Sequence, residues 1–248
     1  MNVYQHLLDS CQTKGAGYLV LIDPDKWSEA AVARFVERIN ASGADAIMVG
    51  GSLNTRGNWD KKLVKIKAIA KLPVILFPGT LSQVSEHADA VLFLSLISGR
   101  NPQYLIADQV HAAPLVKNLG IEPISTGYML VESGKPTTAE FMSGTQPIPR
   151  TKPDIAVAHA LAAEYLGFKL IYLEAGSGAE LSVPLEMVQA VATVTSIPII
   201  VGGGIRTPEA AHQLVEAGAS FVITGNILES DTNQNLLTAF AEAVHHKV

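Results

Sequence analysis

Eight short apolar runs recur along the chain, at residues 18–22, 46–49, 74–77, 90–94, 127–131, 170–173, 197–201 and 221–224. Most are apolar throughout rather than alternating, the pattern of strands buried on both faces of a parallel sheet. Helical start signals fill most of the gaps. Ser28 precedes residues 29–40, Asn58 precedes 59–70 and Asn101-Pro102 precedes 103–118. Lys152-Pro153-Asp154 leads into 155–166, Ser182-Val183-Pro184 into 185–195, and Thr207-Pro208-Glu209 combines a cap, a first-turn proline and an acid. A last helix is predicted over 231–246. Strands alternating with helices imply parallel βαβ units. Eight such units in 248 residues predict one (β/α)8 (TIM) barrel domain spanning 1–248. Two gaps stand apart. Residues 78–89 leave room for only about one or two helical turns, so the third helix is expected to be shortened or replaced by a loop, opening the barrel wall. Residues 133–151 hold three prolines and two glycines and read as a long functional loop.

Composition narrows the function classes. Hydrophobic residues make up 48% and charged residues 17%, enough apolar surface for a sizeable core. The net charge of −5 argues against nucleic acid as a partner. Phosphorylated small molecules stay open, since backbone N–H groups bind them without net positive charge. The single cysteine, Cys11, forms no internal disulfide and fits a reducing, cytoplasmic setting. The first residues lack a basic start followed by an apolar run, and the longest uncharged stretch is interrupted by Pro198 and three glycines. A soluble protein is expected.

Five segments carry candidate chemistry, each just after an apolar run, where barrel active sites lie. Val201-Gly202-Gly203-Gly204-Ile205-Arg206 joins a strand to a capped helix, and Val222-Ile223-Thr224-Gly225-Asn226 follows about twenty residues later. Glycines there allow close approach to an anion, and barrels often bind phosphate after strands seven and eight. The same glycines also suit plain tight turns. Leu21-Ile22-Asp23-Pro24-Asp25-Lys26 places two carboxylates and an ammonium at the first strand end. Carboxylate oxygens suit Mg²⁺ bridging phosphates, whereas a turn capped by Asp23 or Asp25 needs no metal. Gly50-Gly51-Ser52 offers a neutral oxygen ligand, Ser52, for a metal on Asp23, and equally suits an ordinary loop. Tyr172-Leu173-Glu174-Ala175-Gly176-Ser177-Gly178 offers a carboxylate able to take a proton and a phenol able to donate to an anion. His159 and His212 have no ligand-spaced partner and read as structural or exposed, and His245-His246 as a solvated tail.

Taken in order from Leu21 to Asn226, these segments resemble the geranylgeranylglyceryl phosphate synthases and the related bacterial heptaprenylglyceryl phosphate synthases. The shortened third helix is similar too, since that family has a modified barrel at this place. The resemblance implies an Mg²⁺-dependent reaction of sn-glycerol 1-phosphate with a prenyl diphosphate, giving a prenylglyceryl phosphate ether and diphosphate. It implies Asp23 and Ser52 as Mg²⁺ ligands. It implies Tyr172, Leu173, Glu174, Ala175, Gly176, Ser177, Gly178, Gly202, Gly203, Gly225 and Asn226 as the glycerol phosphate site. Glu174 would be the acid–base group, with Tyr172 beside it, and Lys26 would hold the diphosphate. The apolar tail would lie in the opening at residues 78–89.

The bacterial branch resembles Lys-Leu-Asp-Pro at the first strand end, whereas Leu21 stands at the lysine position here. That departure favours a geranylgeranyl donor. Tyr104 is a candidate limiter of groove length, an oligomer contact or a plain core residue. A homo-oligomer and a transient membrane contact of the lipid product are further implications. Two other readings share the glycine loops: another phosphate-binding barrel enzyme, such as a sugar-phosphate isomerase or a cyclase, and a barrel that binds a phosphorylated ligand without catalysis.

Overall fold

The computed structural model describes residues 2–51, 57–228 and 235–245. Eight parallel strands, β1 (Gly17–Ile22), β2 (Ala46–Val49), β3 (Val74–Leu76), β4 (Ala90–Leu96), β5 (Glu122–Leu130), β6 (Leu170–Glu174), β7 (Ile199–Gly202) and β8 (Phe221–Thr224), close into a barrel. Each pairs with the next, and β8 returns to β1 with Gly17 opposite Phe221. Outside the strands run α2 (Glu29–Ala41), α3 (Trp59–Ile69), α4 (Asp108–Leu119), α6 (Pro153–Tyr165), α7 (Leu185–Val194), α8 (Pro208–Glu216) and α9 (Leu236–Val244). The predicted caps at Ser28 and Thr207 are made, accepting from Ala31 N and Ala210 N. Asn58 precedes α3 as expected but adopts a left-handed backbone and makes no side-chain cap bond.

The core is layered as a barrel requires. One cluster fills the inside of the barrel, with Leu19, Met48, Ile75, Leu92, Ile124 and Phe221 facing one another. A larger cluster lies between sheet and helices, where Val20, Ile47, Ile171 and Val201 meet the apolar faces of α2, α6 and α7. Among the described residues no helix is long and apolar enough to cross a membrane.

The wall is opened where the pattern anticipated. Between β3 and β4 the chain makes a single 3-10 turn, Leu81–Gln83, in place of a helix. The outward side chain of Phe93 on β4 is therefore only half-covered. The predicted run 133–151 contains a short helix, α5 (Thr138–Ser143), closed by a capping box between Thr137 and Glu140. The first part of the predicted 103–118 helix is a π-turn, Gln103–Ala107, leading into α4.

Three boundaries differ from expectation. β5 begins five residues before the predicted 127, because Pro123, Ser125 and Thr126 interrupt its apolar run while still pairing with β4. The strand predicted at 197–201 starts after Pro198 and runs into Gly202. The final helix spans Leu236–Val244, and the remainder of the predicted 231–246 lies partly outside the described residues. An unanticipated helix, α1 (Val3–Lys14), crosses the N-terminal end of the barrel and sends Val3 and Leu7 into its interior cluster. Glu122 accepts from Val3 N at 2.5 Å and Tyr4 N at 3.1 Å, which fastens the start of α1 to β5.

His245 also departs from expectation. It is not a solvated tail: its ring nitrogen lies 2.8 Å from Asp45 Oδ2, and its side chain is 18% exposed. His246 lies outside the described residues. Asp45 further accepts from Lys14 Nζ at 2.7 Å and Tyr18 N at 2.8 Å, so one buried carboxylate ties α1, β1 and the chain after α9. His159 and His212 bond the carbonyls of Ile155 and Ala243, structural roles as read from the sequence. Burial alone would raise the Asp45 carboxyl, but the bonds from His245, Lys14 and Tyr18 N outweigh it and hold it below the ordinary range. A lowered folded-state value stabilises the fold above the ordinary aspartate range, and that stability is lost as pH falls through the lowered value. Asp45→Asn is expected to cost about 1–3 kcal/mol near neutral pH. Thermal denaturation of both proteins from pH 7 to pH 3 should show the difference shrinking below about pH 4. A gap that persists unchanged at the lowest pH would show that the charge on Asp45 is not what stabilises this end of the barrel.

Candidate active site

The C-terminal ends of the strands surround one cavity of about 830 Å³. It takes polar groups from the β1, β6, β7 and β8 loops and apolar groups from residues 77–84, β4 and α4. Asp23, Lys26, Tyr172, Glu174, Gly176, Ser177, Gly178, Gly203, Gly225 and Asn226 all line it, so the first and last strand ends share one mouth. Leu173 and Ala175 do not. They alternate with Tyr172 and Glu174 and face the layer between sheet and helices. Gly202 is not on the cavity wall either: a Cβ there would lie 2.6 Å from the Tyr172 hydroxyl and 3.0 Å from Glu174 Oε2, so this glycine makes room for both. Ser52 lies outside the described residues.

Glu174 ends β6 and is 5% exposed. Its Oε1 accepts from Gly176 N at 2.6 Å. Burial raises its carboxyl above the ordinary glutamate value, while the neighbouring Tyr172 hydroxyl and the Gly176 N–H partly oppose the rise. The Tyr172 hydroxyl lies beside that carboxyl without the geometry of a hydrogen bond, and so is a buried donor with no partner of its own. Burial, then the charge of Glu174, keeps this phenol protonated well beyond its usual range. An orphaned buried donor is costly unless a ligand accepts from it.

Tyr172 packs against two other rings on the cavity wall. Its centroid lies 5.3 Å from both Phe77 and Tyr128, stacked on the first and edge-on to the second. Sequence reasoning missed Phe77 and Tyr128 as site residues, because each sits within an apolar run and has no local mark. Only their inward register on β5 and at the end of β3 could have flagged them.

The loops after β6, β7 and β8 form the glycine-rich side of the mouth. Gly203 has φ +82°, and a Cβ on it would lie 2.5 Å from Glu174 Oε1 and 2.6 Å from Gly176 N. The loops after β6 and β7 therefore stack backbone on backbone, which only a glycine with positive φ permits. Lys26 Nζ donates to Asn226 Oδ1 at 2.7 Å, and the Asn226 amide exchanges bonds of 3.1 and 3.3 Å with Ser177 Oγ. This chain of side chains links the loops after β1, β8 and β6 across the mouth.

On the β1 side, Asp23 caps its turn as one reading of the segment expected, and it also faces the cavity. Its Oδ1 caps the turn Pro24–Lys26 through Asp25 N at 3.1 Å, and its carboxyl also lines the cavity. Burial raises its carboxyl, offset in part by the Asp25 N–H and the charge of Lys26. A Cβ on Gly51 would lie 2.8 Å from Asp23 Oδ1, so the absence of a side chain there keeps space in front of the carboxylate. Among the described residues no cluster of three or more His, Cys, Asp or Glu side chains exists. One carboxylate facing an open, polar space is nonetheless the protein share that Mg²⁺ takes when substrate phosphates and water complete its octahedron.

From this polar mouth the cavity continues as an apolar groove. Leu81, Val84, Phe93, Ala112 and Val116 line it where a third helix would otherwise pack. Tyr104 also lines it, and its hydroxyl donates to Met142 O at 3.1 Å, so it stands in the groove wall rather than in the helix core.

A closed parallel barrel with glycine loops after β6, β7 and β8, and carboxylates at β1 and β6, defines a phosphate-handling (β/α)8 enzyme architecture. Comparison with known proteins gives the family. The PcrB family model matches residues 9–244, and the chain belongs to that family. Geranylgeranylglyceryl phosphate synthase of Chitinophaga pinensis is 44% identical over 243 residues, covering 98% of this chain and 96% of its own. The synthase of the same name from Thermococcus gammatolerans is 47% identical over 213 residues, 86% of this chain and 84% of its own. Among solved structures, (S)-3-O-geranylgeranylglyceryl phosphate synthase of Thermoplasma acidophilum, in complex with its substrate sn-glycerol-1-phosphate, superposes with a TM-score of 0.93 at 37% identity, covering 99% of both chains.

Proposed function

We propose that this chain joins the 3-hydroxyl of sn-glycerol 1-phosphate to C1 of geranylgeranyl diphosphate as an ether and releases diphosphate. The observation that carries this reading is the shape of the cavity: a polar, glycine-lined mouth with a buried carboxylate, continuous with an apolar groove where the third helix is missing. The names of relatives at 44% and 47% identity support the same pair of substrates. An isomerase or cyclase of sugar phosphates has no use for the groove, and a merely binding barrel has none for a carboxylate held at Glu174.

In this mechanism the backbone of Gly203 and Gly225, with Ser177 and Asn226, holds the phosphate of the acceptor. The orphaned Tyr172 hydroxyl donates to an acceptor oxygen. Glu174 lies beside the glycerol 3-hydroxyl and takes its proton as the oxygen attacks. The bond from C1 to the diphosphate oxygen breaks and the ether bond forms, so the electron pair leaves with the diphosphate. Positive charge developing on the allylic C1 faces the ring of Tyr172 and its neighbours, and aromatic faces favour a cation. Lys26 attracts the diphosphate. The residues at the β1 side fit Mg²⁺, with Asp23 holding it and Ser52 as the second proposed ligand. When bound, Mg²⁺ neutralises charge on the departing diphosphate. Leu81, Val84 and Phe93 exclude water from the tail.

The same proposal has the chain acting as one domain over 1–248, in the cytoplasm, as a homo-oligomer, with transient membrane contact when the lipid leaves. The absence of a second cysteine to pair with Cys11 supports a reducing setting. Exposed Ile106, Val110 and Phe141 support self-association.

Incubation with Mg²⁺, radiolabelled glycerol 1-phosphate and geranylgeranyl diphosphate should move label into an organic-extractable product whose mass is that of the ether. Label that stays wholly aqueous under these conditions rejects the reading. Asp23→Asn should raise the Mg²⁺ needed for half-maximal rate by about 10-fold or more, and an unchanged requirement would remove Asp23 from the metal site.

A further inference from the structure

The turn that replaces the third helix carries a side chain with no place in the mechanism above. Gln83 is completely buried. Its amide nitrogen donates to Gly51 O at 2.9 Å, and its amide oxygen accepts from Gly79 N at 2.7 Å. Its own carbonyl accepts from the indole nitrogen of Trp59 at 3.1 Å, fixing the turn to α3. The side chain thus bridges two backbone segments with different duties. Gly79 belongs to the wall of the apolar groove, next to Thr80 and Leu81. Gly51 faces the Asp23 carboxylate, and the peptide whose carbonyl Gln83 holds is the one that leads into Ser52.

The amide here does more than fill space. A buried glutamine must find partners for both ends of its amide, and an apolar residue of similar size would fill the volume without that demand. What the amide does, and an apolar side chain would not, is fix the position of the Gly51 peptide relative to the groove wall. A second buried polar group holds the same corner from the other side: Lys62 on α3, 8% exposed, donates to Pro24 O at 2.6 Å, one residue from Asp23. The Asp23 corner is therefore set between two buried donors, one of them rooted in the tail-binding wall.

We infer that Gln83 is a positioning residue for the metal–diphosphate corner, and that through its two amide bonds the groove wall occupied by the prenyl tail sets the placement of the Gly51 carbonyl beside Asp23. The inference rests on the proposed reading of Asp23 and Ser52 as the metal side of the site. Groups that orient the holders of a metal matter to its affinity nearly as much as the holders themselves.

The test is binding of Mn²⁺ in the presence of inorganic diphosphate, followed by electron paramagnetic resonance, on the full chain. Wild type, Gln83→Met, Gln83→Glu and Asp23→Asn are compared. Gln83→Met keeps length and loses both bonds. Gln83→Glu keeps the acceptor for Gly79 and loses the donor to Gly51, and it decides the question if Gln83→Met does not fold. The expected result is a rise of about 10-fold in the Mn²⁺ dissociation constant for the Gln83 variants, with the KM for glycerol 1-phosphate within about twofold of wild type. In turnover, the Mg²⁺ needed for half-maximal rate should be lower with a C20 donor than with a C5 donor in wild type, and this difference should vanish in the variants. Mn²⁺ binding within twofold of wild type in the variant that folds, alongside impaired Asp23→Asn, overturns the role of Gln83 alone. Equal weakening of metal and glycerol phosphate also overturns it, since that marks general loosening of the mouth. Unchanged binding in Asp23→Asn as well removes the metal site from this corner and the role of Gln83 with it.

Discussion

Replacing Glu174 by Gln lowers kcat/KM for ether formation by about 10²–10⁴-fold, the usual range for loss of a positioned general base. The substitution is nearly isosteric and leaves an acceptor for Gly176 N, now at 2.6 Å from Oε1, so the loop after β6 keeps its support. The KM for glycerol 1-phosphate should change far less than kcat. The carboxyl must be ionised to take a proton, and burial raises it above the ordinary glutamate range near 4.5. Activity should therefore fall on an acidic limb centred above that value, with the active form on the high-pH side. In Glu174→Gln the residual rate should lose this limb. Near-normal turnover in the variant, or an identical acidic limb, would assign proton transfer elsewhere.

Gly203→Ala should damage the site through a single added methyl. The added carbon would meet Glu174 Oε1 at 2.5 Å and Gly176 N at 2.6 Å, and neither is a flexible side-chain end with space to retreat. The backbone at φ +82° adds a conformational cost of about 1–2 kcal/mol for any side chain. The loops after β6 and β7 must separate, which displaces both the phosphate cradle and the general base. A shift of the order of 1 Å in a catalytic arrangement costs about 10²-fold in rate. The KM for glycerol 1-phosphate and kcat should both worsen. Wild-type kinetics in Gly203→Ala would mean the loops do not meet as described.

The barrel was legible because its strands are buried on both faces, so each run is apolar end to end and stands out from the helices. What broke the pattern was chemistry internal to a strand: Pro123, Ser125 and Thr126 concealed the start of β5 although they pair normally. α1 was hidden because only Val3 and Leu7 of its large apolar residues enter the core, too few to make a periodic stripe. The glycine loops and the ends of β1 and β6 could be read because glycine and carboxylate are unusual directly after an apolar strand. Leu173 and Ala175 could have been separated from Tyr172 and Glu174 by strand alternation, since neighbouring residues point to opposite faces. Phe77 and Tyr128 carried no mark beyond that same alternation, and Gln83 carried none. An aromatic in a strand looks like core, and the partners of Gln83 are four and thirty-two residues away, beyond any local motif.

All of these effects depend on acceptor and donor meeting in one mouth. A crystal structure with sn-glycerol 1-phosphate, Mg²⁺ and an unreactive thio-analogue of geranylgeranyl diphosphate examines that meeting directly. The glycerol phosphate should sit on the backbone of Gly203 and Gly225 with its 3-hydroxyl at Glu174. The diphosphate should sit at Asp23 and Lys26, with the tail along Leu81, Val84 and Phe93. A tail outside that groove, or a glycerol hydroxyl remote from Glu174 with both ligands bound, would contradict the mechanism.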